Sequence, residues 1–193
     1  MLGHQIYGWD FIGSDIDKKS LQIAQTIIEK NDSLKNNILL RLQKNSKNIF
    51  TGIIRVNEYF DFTVCNPPFH VSEAEAIAEN HKKNRNLKIK AKKTNLNFGG
   101  HVNELWCDGG EISFIKIMIK ESVKFSSNCF WFTSLVSKKE SLRPIYKELK
   151  KVNVAQMHTI LMGQGHKISR IVAWTFLNIN EQKAWKQNRW NKA

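Results

Sequence analysis

The residues best suited to chemistry are Asn66-Pro67-Pro68-Phe69, which follow the apolar run Phe62-Thr63-Val64-Cys65. Two consecutive prolines cannot continue a strand, because neither has an N–H to donate and each fixes φ. The residue before each proline is also driven toward an extended conformation. The sequence therefore predicts a buried strand that ends in a stiff, extended loop. Open α/β sheets bind their ligands at such carboxyl ends of strands.

That loop offers two hydrogen-bond acceptors at a fixed spacing. Asn66 has a side-chain carbonyl, and Pro67 keeps its backbone carbonyl although it has no N–H. Two such acceptors suit the hydrogens of an exocyclic –NH₂ group, such as N6 of adenine, and Phe69 provides a flat ring on which a base can stack. Accepting both hydrogens favours the geometry in which the nitrogen lone pair can attack a methyl donor.

The composition favours a globular protein that binds nucleic acid. The chain has 193 residues with 41% hydrophobic and 10% aromatic content, enough for one domain with a real core. Its net charge of +13, from 30 Lys+Arg against 17 Asp+Glu, favours a polyanion, with nucleic acid ahead of a membrane surface. A generally basic, solvated surface is the alternative interpretation.

Cysteine usage and apolar runs exclude several other classes of protein. The three cysteines form no C-x-x-C pair, which argues against a zinc site or a disulfide framework. No apolar run approaches the roughly 20 residues that span a bilayer. The first residues lack the pattern of a signal peptide. We therefore expect a cytoplasmic, monomeric protein that binds neither metal nor membrane.

Apolar periodicity places the loop within a series of alternating strands and helices. We predict strands over 7–15, 38–42, 129–136, 153–161 and 168–177, with the last two antiparallel, and a strand from Asp61 that leads to Asn66. We predict helices after an N-cap at Asp17 and over 71–79, 112–124 and 141–149. A polar loop over 162–167 is expected between the last two strands.

Two polar residues follow predicted strands in the amino-terminal part of the chain. Nucleoside-binding α/β folds use an acid at the end of the second strand to accept hydrogen bonds from ribose hydroxyls, and Asp15 has that position. A helix-capping role for Asp15 is the alternative. Asn45 follows the 38–42 strand, where such folds hold the adenine of a cofactor. A turn residue is an equally good interpretation of Asn45.

The composition changes sharply after the loop. No acidic residue lies between Glu79 and Glu104, and apolar periodicity fades, so we predict a loop or loosely packed insertion at about 80–104. Its cations would contact phosphates beside the base-stacking loop, although a solvated charged loop is the alternative. Lys167 and Arg170 are further candidates for phosphate binding, with structural or solvated roles as alternatives. The insertion's cations are Lys82, Lys83, Arg85, Lys88, Lys90, Lys92 and Lys93.

Two glycine pairs lie at and after the end of the insertion, at Gly99-Gly100 and Gly109-Gly110. Glycine permits backbone conformations closed to other residues. We expect these pairs to let the chain fold back over a substrate pocket. Glu104 and Glu111 are predicted to position this segment or to hold a cation, and neither is predicted to be catalytic.

An ordered set of motifs extends from about Gly3 to Asn178 and resembles one family. That family is the bacterial 23S rRNA (adenine-N6)-methyltransferases called ribosomal RNA large subunit methyltransferase F. The motifs are Gly13-Ser14-Asp15-Ile16-Asp17, Val64-Cys65-Asn66-Pro67-Pro68-Phe69-His70, Asn97-Phe98-Gly99-Gly100, Glu104-Leu105-Trp106-Cys107, Gly109-Gly110-Glu111, Trp131-Phe132-Thr133-Ser134-Leu135-Val136-Ser137 and Ala173-Trp174-Thr175-Phe176.

The resemblance implies an α/β fold of the Rossmann-like class I methyltransferase type, with a mostly parallel sheet and an antiparallel last strand. It also implies S-adenosyl-L-methionine as cofactor and methyl transfer to N6 of an adenine in 23S rRNA, either free or in a large-subunit assembly intermediate. Catalytic roles are implied for Asn66, Pro67, Pro68 and Phe69. Cofactor contacts are implied for Asp15, Asn45 and Asn66.

The family's first strand and glycine-rich turn have no counterpart in this sequence. We therefore expect an incomplete fold, with a carboxyl-terminal methyltransferase portion over 1–180 and a basic tail over 181–193. We also expect the isolated chain to bind the cofactor poorly. Methylation of DNA adenine or of protein glutamine is an alternative activity. A non-catalytic RNA-binding fragment is an alternative from another class.

Overall fold

The structure is a computed structural model that describes residues 2–72, 74–75, 106–164 and 167–190. The chain divides into two compact units, Met1–Val56 and Asn57–Ala193. The described strands are β1 (Phe11–Asp15), β2 (Ile38–Leu42), β3 (Phe60–Phe62), β4 (Cys129–Val136), β5 (Gln156–Gln164) and β6 (Lys167–Thr175). The described helices are α1 (Leu2–Tyr7), α2 (Lys18–Glu29), α3 (Gly110–Ser122), α4 (Leu142–Lys151) and α5 (Ile179–Trp185).

The first unit contains a two-stranded parallel sheet, in which Asp15 at the end of β1 lies opposite Leu42 at the end of β2. Asp17 caps α2 by accepting from the backbone N–H groups of Lys19 and Ser20 at 3.0 and 3.1 Å. The predicted strand over 38–42 and the predicted cap are therefore confirmed.

The predicted strand over 7–15 is wrong in its first part. The chain forms α1 up to Tyr7, and β1 begins only at Phe11. Gly8 ends the helix with a φ of 69°, and its N–H donates to the carbonyl of His4 at 2.8 Å. Glycine adopts this left-handed conformation without a steric penalty and commonly ends helices in this way.

The second unit contains a four-stranded sheet in the order β3-β4-β6-β5. β3 and β4 are parallel, whereas β6 is antiparallel to both β4 and β5. The predicted antiparallel last strand is confirmed. The predicted loop over 162–167 is wrong at 162–164 and at 167, because the ladder continues until Gln164 lies opposite Lys167; residues 165 and 166 lie outside the described part of the chain. Polar side chains do not prevent this pairing, since backbone groups make the ladder bonds.

The core of the second unit lies between the sheet and the helices α3 and α4. Alternate residues of β4, among them Phe130, Phe132 and Val136, are buried, as strand periodicity requires. Trp174 of β6 is fully buried, and its indole N–H donates to the hydroxyl of Ser122 at 3.0 Å. The helices add Ile115, Met118, Ile119, Ile145 and Leu149 to the core. This packing holds the β4 strand that borders the Asn66 loop.

The last described helix packs at the opposite end of the same sheet. α5 begins with a capping box in which Asn178 and Glu181 satisfy each other's backbone N–H groups. A π-helical turn follows over Lys186–Trp190. The indole N–H groups of Trp185 and Trp190 both donate to Oδ1 of Asp61, at 2.8 and 2.6 Å.

Among the described residues, no helix is long and apolar enough to cross a membrane.

Candidate active site

The Asn66 loop leaves the sheet beside β4. The N–H of Thr63 donates to the carbonyl of Trp131, and the N–H of Leu135 donates to the carbonyl of Cys65, each at 2.9 Å. Pro67 has no N–H and cannot extend this ladder. The predicted strand is confirmed only in part: β3 ends at Phe62, and two backbone bonds continue alongside β4 as far as Cys65. The expectation that this strand is buried is wrong, since Val64 is 76% exposed.

Two threonine side chains replace part of the ladder just before the loop. Thr133 donates its backbone N–H to the hydroxyl of Thr63 at 3.1 Å, and its own hydroxyl donates to the carbonyl of Thr63. Hydroxyl groups therefore take the places of backbone groups on both sides. A side chain inserted between two strands separates their backbones locally, so this pair interrupts the ladder before the bond between Leu135 and Cys65 resumes it.

Burial alternates sharply within the loop itself. Pro67 and Pro68 are buried, Phe69 is half-buried and Asn66 is exposed. Buried prolines hold the loop rigidly, since their φ angles are fixed and they lose no hydrogen-bond donor on burial. The Asn66 amide is left open to a partner from outside.

The segment around Gly109 and Gly110 approaches the residues immediately after Phe69. The N–H of Cys107 donates to the carbonyl of His70 at 3.1 Å. Gly109 and Gly110 have φ angles of 75° and 62°. A Cβ atom on Gly110 would lie 2.8 Å from Cγ1 of Val71, so a larger residue at this position would force the Val71 side chain to move. Cys107 and Gly110 thus contact the residues just downstream of the loop, whereas Gly99-Gly100 lie outside the described residues. The fold-back over a substrate pocket stays a prediction.

The cysteine next to Asn66 is a poor nucleophile at neutral pH. Burial raises the pKa of the Cys65 thiol to about 12, although a hydrogen bond with Ser134 partly offsets this. The thiol rather than the thiolate is therefore present, and only the thiolate is a good nucleophile. Cys65 thus serves as a small apolar residue, and the polar chemistry of the loop falls to Asn66 and the Pro67 carbonyl.

The candidate cofactor residues Asp15 and Asn45 both lie in the first unit. Oδ1 of Asp15 accepts from the N–H of Asp17 at 2.8 Å, and the Asp15 carbonyl accepts from the N–H of Gln43 at 2.8 Å. Asn45 is exposed, and its side-chain oxygen accepts from the N–H of Lys47 at 3.0 Å in an Asx turn.

Sequence reasoning missed Gln43, which orders the segment after β2. Gln43 is 7% exposed, and its side chain donates to the carbonyl of Thr51 and accepts from the N–H of Asn45. A glutamine directly after a predicted strand was the available signal, but its partners lie in a turn whose path the sequence does not reveal. Gln43 fixes the backbone beside Asp15.

The candidate phosphate-binding residues fall into two groups. β6 runs antiparallel to β4, so the start of β6 lies beside the carboxyl end of β4, with Arg170 directly opposite Val136. The backbones of Lys167 and Arg170 therefore lie at the same end of the strands as Asn66. The insertion over 80–104, with Lys82, Lys83, Arg85, Lys88, Lys90, Lys92 and Lys93, lies outside the described residues. In the described part of the chain, no group of three His, Cys, Asp or Glu could hold a metal ion.

Solved structures with a similar fold include methyltransferase domains in complex with RNA and with SAH. The catalytic domain of human METTL16, in complex with hairpin 1 of the MAT2A 3′ untranslated region, matches with a TM-score of 0.75 and 26% identity over 92% of this chain and 59% of that one. The N-terminal domain of human METTL16 in complex with SAH matches with a TM-score of 0.66 and 23% identity over 92% and 56%. The fold is that of a Rossmann-like methyltransferase domain.

A family profile described as RNA methyltransferase matches residues 1–178, and the chain belongs to this family. Curated relatives carry the name ribosomal RNA large subunit methyltransferase F. Those from Photobacterium profundum, Shewanella loihica and Flavobacterium johnsoniae are 51%, 50% and 54% identical to it over 99%, 96% and 96% of this chain. The chain spans 62%, 49% and 60% of their lengths.

Proposed function

We propose that this chain is the catalytic portion of an enzyme that transfers a methyl group from S-adenosyl-L-methionine to N6 of one adenine in 23S rRNA. The observation that carries this proposal is the exposed amide of Asn66 directly after the Cys65–Leu135 backbone bond, with two buried prolines behind it. The names of the curated relatives support 23S rRNA as the substrate class. An rRNA substrate is consistent with a cytoplasmic location of the enzyme.

The reacting amine would be held by the loop. The side-chain oxygen of Asn66 and the carbonyl of Pro67 would each accept one hydrogen of the adenine amine, while the half-buried Phe69 ring stacks on the base. These contacts orient the nitrogen lone pair toward the methyl donor. The adenine must leave its stack to reach the loop, as in other enzymes that modify bases.

Asp15 suits the ribose of the cofactor. Its Oδ1 is held by the N–H of Asp17, and among the described residues no donor is bonded to Oδ2, which can accept from a ribose hydroxyl. S-adenosyl-L-methionine would supply an activated methyl group on sulfur. Asn45 is the weaker candidate, since its side-chain oxygen already accepts within a turn. Asn66 is proposed to contact the cofactor as well as the substrate.

RNA would be held largely by charge. Lys167 and Arg170 lie near the start of β6, at the same end of the strands as Asn66. The seven cations of the insertion follow the Asn66 loop in sequence. Such contacts give an affinity that falls with rising salt concentration. The partner is proposed to be 23S rRNA or a large-subunit assembly intermediate.

The test is a methylation assay on 23S rRNA that lacks the modification, with isotopically labelled cofactor at about 1 mM so that a weak site also fills. The digested RNA is analysed by mass spectrometry. Label in N6-methyladenosine at one position is the expected result. Label in another nucleoside, in DNA or in protein glutamine contradicts the proposal. RNA binding without any label favours the non-catalytic alternative.

A further inference from the structure

Glu111 joins the start of α3 to the chain that follows β4. Its side chain is 5% exposed. Oε1 accepts from the backbone N–H of Ser137 at 2.6 Å, and Oε2 accepts from the hydroxyl of Ser141 at 2.8 Å. A buried carboxylate is unfavourable unless its oxygens are hydrogen bonded, so these two bonds determine where the carboxylate lies.

The same turn of helix contacts the downstream end of the Asn66 loop. Gly110 precedes Glu111 and packs against Val71, and Cys107 donates its N–H to the carbonyl of His70. The N–H of Gly110 also donates to the carbonyl of Cys107 at 2.8 Å, which closes this segment into a turn. The segment that supports the loop is therefore continuous with the residue that bonds to Ser137.

The loop is thus supported at both ends from one strand. Its upstream end is bonded to Leu135 through Cys65, and its downstream end is connected through Cys107 and Glu111 to Ser137, two residues further along. We propose that Glu111 is a positioning residue for Asn66-Pro67-Pro68-Phe69, which sets the downstream end of this loop relative to β4. This role rests on the proposed function, in which Asn66 and Phe69 hold an adenine.

The test compares the alkylation rates of two thiols, that of the part-buried Cys65 and that of the buried Cys129, by peptide mass spectrometry. Cys65 reports on the loop, and Cys129, fully buried at the start of β4, reports on unfolding of the second unit. Burial raises the pKa of both thiols, so each reacts slowly in the folded protein and faster when its surroundings open. Glu111→Ala is expected to accelerate Cys65 labelling about tenfold while Cys129 is unchanged.

Three further variants separate positioning from general stability. Glu111→Gln retains an oxygen for Ser137 and gains an amide that can donate to Ser141, so labelling of Cys65 should stay within about twofold of the wild-type rate. Ser141→Ala removes one bond and should accelerate Cys65 about threefold. Glu148→Ala is the matched control, since Glu148 is also buried but pairs with Lys151 on its own helix α4 and with Lys120 on α3. It should not change the ratio of the two rates.

Equal acceleration of Cys65 and Cys129 in Glu111→Ala would overturn the proposal, because Glu111 would then stabilise the whole unit. Unchanged labelling of Cys65 would overturn it as well. If Glu111→Ala does not fold, Ser141→Ala decides between the same outcomes. Labelling needs neither RNA nor cofactor, so its failure is distinct from a failure of the proposed methylation.

Discussion

Leu135 donates its backbone N–H to the carbonyl of Cys65 at 2.9 Å, one residue before Asn66. Within the described residues this is the last ladder bond ahead of the loop. The next ladder bond would need a backbone N–H at Pro67, and proline has none. The position of Asn66 is therefore determined by the rigid strand β4 rather than by the loop alone. Precise placement on a rigid element is what a reaction that depends on two aligned acceptors requires.

The Asn66→Ala change should abolish methylation while RNA affinity stays within about twofold. The amide oxygen would bond to the reacting amine only in the aligned complex, so its loss should lower kcat by about 10²- to 10³-fold. Binding rests mainly on phosphate contacts elsewhere. Methyl transfer at saturating RNA and RNA affinity by filter binding are the two measurements.

Asn36→Ala is the control for that variant, since Asn36 is also an exposed asparagine but lies ahead of β2 in the first unit. It should retain wild-type turnover. Loss of RNA affinity in Asn66→Ala, with turnover per bound RNA unchanged, would show that Asn66 holds RNA rather than the reacting amine.

Thr133→Val should destabilise the second unit by about 1–3 kcal/mol, because the carbonyl of Thr63 loses its hydroxyl donor in a half-buried position. Thr26→Val is the comparison, since Thr26 also donates a hydroxyl to a backbone carbonyl, at 2.9 Å, but on the exposed surface of α2. Its effect should stay below about 0.5 kcal/mol. Urea unfolding followed by tryptophan fluorescence measures both, and equal effects would contradict the role given to the threonine pair.

Gly110→Ala should destabilise the turn at the start of α3, although replacing glycine by alanine in a helix is normally stabilising. Gly110 has a φ of 62°, and its new Cβ would lie 2.8 Å from Cγ1 of Val71. Left-handed backbone and overpacking are each unfavourable by about 1–2 kcal/mol. Thermal unfolding is the measurement, and methylation should fall with it because the downstream end of the Asn66 loop shifts.

Gly163→Ala is the matched control for that change. A Cβ at Gly163 in β5 would meet no atom within 4 Å. Alanine in a strand interior is usually neutral or better than glycine. An unfolding temperature for Gly110→Ala equal to that of Gly163→Ala would mean that the contact with Val71 is not tight in solution.

The sequence was sufficient for the elements that local pattern controls. The strands over 38–42 and 129–136 match β2 and β4 residue for residue, and Asp17 caps α2 as its position predicts. Backbone pairing before Asn66 stops at Cys65, since Pro67 has no N–H to continue it, although the regular strand β3 already ends at Phe62. Each of these features depends on periodicity, proline chemistry or capping, which act between neighbours in the chain.

Features that depend on distant partners could not be predicted. The bonds between Thr63 and Thr133 require the register of two strands that are 70 residues apart. Glu111 was expected to position a segment or hold a cation, but its partners Ser137 and Ser141 lie on another element. The boundary at Gly8 was missed because the apolar residues around it fit a helix or a strand equally well.

Asp61→Ala should release the last described helix from the sheet. Oδ1 of Asp61 accepts from the indole N–H groups of both Trp185 and Trp190, and Trp185 is only 9% exposed. Without this acceptor two indole N–H groups lose their partner, while the guanidinium of Arg189 still stacks on Tyr59 and Trp185. We expect a red shift of tryptophan emission and faster tryptic cleavage after Lys186 and Arg189.

The control is Asp32→Ala, since Asp32 pairs with Lys35 at 2.6 Å but its side chain is 95% exposed. Such a surface pair contributes about 0–1 kcal/mol, so cleavage after Lys186 should not change. Asp61→Asn should lie between the two, because its amide oxygen can still accept but without a charge. Cleavage of Asp61→Ala at the wild-type rate would mean that the ring contacts with Phe130 and Tyr59, rather than the carboxylate, hold α5 against the sheet.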